Sequence, residues 1–79
     1  MISFKQHKQE RQKSKVEKRV AMLSTSELLP WSEQAIYSLG RNLSAWQKSQ
    51  EHFYIEEARV AAEVIHVITE ELARRTRNV

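Results

Sequence analysis

Apolar residues recur along this chain at intervals of three and four, and no stretch alternates in the way a half-buried strand does. Three helical segments follow from that spacing, over about Phe4 to Leu23, Pro30 to Gln47 and Glu51 to Arg75. In the second, Leu29, Ile36, Leu39, Leu43 and Trp46 fall along one stripe, with Ser32 as its single polar member. In the third, Tyr54, Ala58, Ala61, Ile65, Ile68 and Leu72 follow the same spacing without a polar interruption. The first carries only the short stripe Val16, Val20 and Leu23.

The breaks between segments have their own signals. Ser24-Thr25-Ser26-Glu27-Leu28-Leu29-Pro30 offers hydroxyl N-caps, the capping-box spacing of Ser24 and Glu27, and a proline suited to a first helical turn. Lys48-Ser49-Gln50-Glu51 reads as a tight turn with Ser49 capping the third helix, whose negative end lies near Arg74, Arg75 and Arg77. One unbroken helix after Arg41 would set Gln50, Glu57 and Glu71 on its apolar seam, whereas a turn at Ser49 sets no polar residue there. The expected architecture is therefore all-α, an antiparallel helical hairpin.

A second strip beside the first, formed by Phe53, Val60, Val64 and Val67, requires further cover. Either Val16, Val20 and Leu23 of the first helix provide it, giving a three-helix bundle, or a second copy does, giving a dimeric four-helix bundle. The division expected is a basic N-terminal helix or arm over 1–23 and a hairpin body over 24–79. Within the hairpin, Leu39 and Leu43 are expected near Ala58, Ala61 and Ala62, so that large side chains meet small ones. Gly40 costs about 1 kcal/mol relative to Ala inside a helix, which suggests a close backbone contact, a local kink or a tolerated substitution.

Charge separates the same two regions. Residues 1–23 hold seven Lys/Arg and two Glu, while residues 24–79 hold six Lys/Arg and eight Glu. Composition then narrows the chemistry. At 79 residues a single small core is the most that can form, and a partner or self-partner is a common supplement. The absence of Cys removes disulfides and thiolate sites and fits a reducing compartment. A single Gly cannot build a phosphate-cradling loop, and all ten acidic residues are Glu, so no Ser-His-Asp triad can be assembled. No enzymatic activity and no cofactor are expected. No apolar run approaches the ~20 residues that span a bilayer, and Met1-Ile2-Ser3-Phe4 is followed by charge rather than by a signal segment. A cytoplasmic location is the expectation.

Two sets of residues are candidates for recognition. Leu28, Leu29 and Trp31, with Tyr37 off the main stripe, are candidate anchors for a larger protein, because aromatic side chains near the edge of a small domain commonly dominate binding. Lys5, Lys8, Arg11, Lys13, Lys15, Lys18 and Arg19 are candidate phosphate contacts for nucleic acid, acting as point charges with strong salt dependence. Glu63 and His66 have the spacing of a helical carboxylate-imidazole pair, with Glu70 one turn on and Glu33 opposite, but they lie on the polar outer face, so no metal site is expected. The sequence thus predicts a small non-enzymatic helical interaction module of the adaptor or regulatory kind, with nucleic-acid association through the basic arm as the alternative.

Overall fold

Two copies of one capping pattern, Ser-x-x-Glu, set the first two helix starts. A computed structural model describes residues 14–77 as three helices with no strand: α1 Lys15–Met22, α2 Thr25–Ser49 and α3 His52–Arg77. Ser14 Oγ accepts the Glu17 N–H at 3.1 Å while the Glu17 carboxylate accepts the Ser14 N–H at 2.8 Å. Ser24 and Glu27 repeat the arrangement at 3.2 and 2.9 Å. Each box satisfies donors that a helix N-terminus leaves without an internal partner.

These caps revise two expected boundaries. The first helix does not run unbroken from Phe4 to Leu23, because Ser14 is extended and the helix starts after it; the expected stretch before Ser14 lies outside the described residues. The second helix starts at Thr25 rather than Pro30, which places Pro30 in its second turn. There the ring deprives only the Ser26 carbonyl of its usual donor, in a turn exposed to water.

The buried face of α2 also shifts in part from the expected stripe, of which Ser32, Leu39 and Trp46 remain half-buried. Leu28 and Ala35 are buried, whereas Leu29, Ile36 and Leu43 are 49%, 57% and 43% exposed. The physical reason is size and reach. Once Leu28 belongs to the helix, it is the large apolar side chain that enters the core with Ile68, and the small Ala35 follows it seven residues later. Asn42, half-buried farther along, donates its amide to the Ser38 carbonyl at 2.8 Å and so brings no unpaired polar group to the interface.

The hairpin turn is made by Gln50, which takes the left-handed conformation at φ 60° and donates its N–H to the Trp46 carbonyl. Ser49 is the last residue of α2 rather than the cap of α3, although its Oγ accepts the Glu51 N–H at 3.2 Å. Along α3, Ala58, Ala61, Val64 and Ile68 are buried, so alanines do face α2 as the spacing predicts, while Ala62 is exposed. Gly40 is exposed and an added Cβ would meet nothing within 4 Å, so no close approach within the chain explains it.

At the end away from the turn, α1 lies against α3 and contributes Val20 to the core of Leu28, Ala35, Val64 and Ile68, with Val16, Leu23 and Val67 packed around it. Arg75 fastens this arrangement. Its guanidinium donates to the Leu23 carbonyl at 2.7 Å, to Thr25 Oγ1 at 3.0 Å and to the Val20 carbonyl at 3.4 Å. Its Nε donates to Glu71 at 2.7 Å. One side chain of α3 thereby holds the end of α1 and the start of α2.

Candidate functional site

The basic residues of α1 and the first two turns of α2 meet around one aromatic ring. Eight residues are too few for α1 to bury more than one line of side chains, so Val20 turns inward and Lys15, Lys18, Arg19 and Met22 remain on the surface. The start of α2 crosses beneath, and Trp31, three residues beyond the buried Leu28, emerges on the flank that faces α1. The Arg19 guanidinium sits 5.6 Å from the centre of the Trp31 ring, a cation-π contact. Around this pair lies an open cleft of about 550 Å³, lined by Arg19, Leu23, Glu27, Pro30, Trp31 and Gln34. A groove of about 510 Å³ continues from it between Lys15, Lys18, Arg19, Met22 and Leu23.

The two depressions share Arg19 and Leu23, so they form one surface with an apolar floor and a basic rim. Met22, 84% exposed, is the most open large apolar side chain of the molecule's described part. Among the described residues no ion pair engages Lys15, Lys18 or Arg19. Glu27 is the one carboxylate in the lining. Its pKa is lowered by the backbone and side-chain hydrogen bonds of Ser24, so it stays ionised and tied to the helix cap. The surface can hold an apolar group beside Trp31 and a negative charge at the rim.

The residues expected at a partner site are thus divided. Leu28 is 0% exposed and belongs to the core, which leaves it no surface to offer. Trp31 is half-buried at the cleft, with one face against the core and the other beneath Arg19. Leu29 and Tyr37 are exposed on other flanks of α2 and do not reach the cleft lining. Of the basic set, Lys15, Lys18 and Arg19 line the groove, and Lys5, Lys8, Arg11 and Lys13 lie outside the described residues. Met22, Leu23 and Pro30 were not expected as site residues. Met22 carries a readable signal, since it falls off the Val16-Val20-Leu23 stripe of its own helix.

A second depression, of about 270 Å³, lies between α1 and α3 and is lined by Glu17, Val20, His66, Val67, Glu70 and Arg74 among others. Beside it Glu71 accepts from Arg74 and Arg75, which together hold its carboxyl down at about 2. That pairing fastens helices. Among the described residues no three or more of His and Glu come together in a way that could hold a metal ion. Nor is any described helix long and apolar enough to cross a membrane. No protein-family model, no curated protein and no solved structure matches the chain.

Proposed function

We propose that the protein is a non-enzymatic helical interaction module that docks on a larger protein through the Trp31 cleft. The observation that carries this reading is the combination at one place of an indole, an exposed methionine and three cations without acidic partners among the described residues. Aromatic side chains supply large, rigid apolar contact area, Met adapts its shape to what it meets, and Arg and Lys at the rim select charge. The partner chemistry that fits is a segment presenting one apolar side chain flanked by carboxylates. The apolar group would lie between Trp31, Pro30 and Leu23, and the carboxylates would reach Lys15, Lys18 and Arg19.

Selection of displayed random peptides on the immobilised full chain tests this directly. Enrichment of sequences with Leu, Phe or Trp beside Glu or Asp is expected, and Trp31→Ala removes it while circular dichroism remains that of the folded protein. Enrichment that survives Trp31→Ala, or none at all, overturns the reading.

Nucleic-acid association is the second reading, favoured by the position of Lys15, Lys18 and Arg19 on the face of α1 directly after Lys5, Lys8, Arg11 and Lys13 in the chain. It predicts binding of labelled duplex DNA or structured RNA that weakens steeply as salt rises and is lost when residues 1–13 are deleted. Binding to acidic-apolar peptides would instead depend on Trp31 and tolerate salt better.

A further inference from the structure

The flank of α2 opposite Trp31 holds an apolar stripe that the described residues leave open. Leu29, Ile36 and Leu43 recur at intervals of seven residues and so lie in line along the helix, each between 43% and 57% exposed. Because α1 lies against α3, this flank of α2 has no second layer from the described residues, whereas stable domains pack two layers about a core. Among the described residues seven hydrophobic side chains are buried, six of them in the hairpin and three of them alanines, which is a small core.

We infer that a second copy of the chain covers this stripe, with the two α2 helices antiparallel about a two-fold axis at Ile36. The spacing argues for a copy rather than another partner because it is self-complementary. Leu29 and Leu43 lie equally far from Ile36 in sequence, so an antiparallel pairing sets Leu29 of each copy against Leu43 of the other and Ile36 against itself, as an isologous interface requires. The charge pattern agrees. Between Leu29 and Leu43 the only ionisable acid or base residues are Glu33, Tyr37 and Arg41, and pairing about this centre brings Glu33 of one copy level, within a residue or two, with Arg41 of the other. The extent fits a weak, concentration-dependent pair. The stripe from Leu29 to Leu43 rises about 21 Å, and a strip about 15 Å wide along the whole 25-residue helix buries on the order of 1,100 Å² over both copies, just under the ~1,200 Å² of standard interfaces. The Trp31 cleft stays open on the other flank, so a dimer would present two docking sites.

Sedimentation velocity of the full chain over a range of concentration, with two kinds of variant, decides the matter. The unaltered protein should reach twice its 9.3 kDa mass. Ile36→Glu, which sets two carboxylates together on the axis, should weaken dimerisation about a hundredfold. Val60→Glu, at an exposed position on α3, should leave it unchanged. Because the chain has no cysteine, Ile36→Cys provides a second measurement that does not depend on a disruptive charge. It should form a disulfide-linked dimer on mild oxidation, and a mixture of Leu29→Cys and Leu43→Cys should cross-link to each other in preference to themselves. A monomer at every concentration, a dimer that persists in Ile36→Glu, or Leu29→Cys cross-linking chiefly to itself would overturn the proposal.

Discussion

The two ends of the hairpin are built from the same pair of helices and hold together differently. At the end away from the turn, Val20, Leu28 and Ile68 are 1% exposed or less, and Arg75 bonds across all three helices. At the turn end Ala58 and Ala61 are buried, but Phe53 and Val60 remain exposed, since α1 stops short of them. Phe53 and Tyr54 stack edge to face there, with ring centres 5.3 Å apart, and among the described residues no third helix lies over them. The difference teaches what two helices can do alone. A pair buries one line of side chains between its members; only the short third helix converts a line into a core, and the docking cleft forms where it does so.

Cutting a large buried side chain at the covered end should produce the largest effect. Leu28→Ala should lose about 3 kcal/mol in urea unfolding, whereas Val60→Ala at the other end should stay within about 0.5 kcal/mol. Similar losses at both positions would erase the distinction. Next comes Arg75→Ala, which leaves Glu71 with one cation and removes the guanidinium donor from the Leu23 carbonyl and from Thr25 Oγ1. A loss of about 2 kcal/mol by the same measurement is expected.

Acid sharpens the comparison through Glu71. Its folded pKa is held near 2, below the ordinary carboxylate value, so its contribution to stability is present in full above the unfolded pKa and is lost as pH falls from about 5 toward 2. The melting temperature should fall across that range, and Glu71→Gln should flatten the profile. The smallest effect belongs to the middle of α2. Gly40 has open space around its Cα, so Gly40→Ala should raise stability by about 1 kcal/mol, read as a higher urea midpoint.

Much of this arrangement is legible in the order of residues. The hairpin is, because Ala58, Ala61 and Ile68 keep one helical phase after Ser49 and the alternative phase would bring Glu57 and Glu71 to the seam. Val20 is readable, from the stripe it makes with Val16 and Leu23, as one of two possible covers over α3, the other being a second copy. The phase of α2 is not, since Pro30 looks like a helix start and the capping box at Ser24 has to compete with it. When the box prevails, Leu28 joins the helix and enters the core, which leaves Leu29, Ile36 and Leu43 exposed while Leu39 and Trp46 of the expected stripe stay half-buried. The candidate site is partly readable: Trp31 and Arg19 stand out separately, but their stacking depends on the angle at which α1 crosses. Arg75 is harder still. Its partners lie 50 to 55 residues away, and in the sequence it is one of three arginines that would each suit the end of a helix.

Native-state hydrogen exchange, resolved by residue, tests most directly the claim that cover by α1 makes one end of the hairpin a core and leaves the other a pair. Amides of α3 around Ile68 and of α2 around Leu28 should open only with global unfolding, while those around Val60 and Leu43 should open at distinctly lower free energy. Deleting residues 1–23 should bring the first group down to the second. Equal protection along the hairpin, or no change on deletion, would contradict the account.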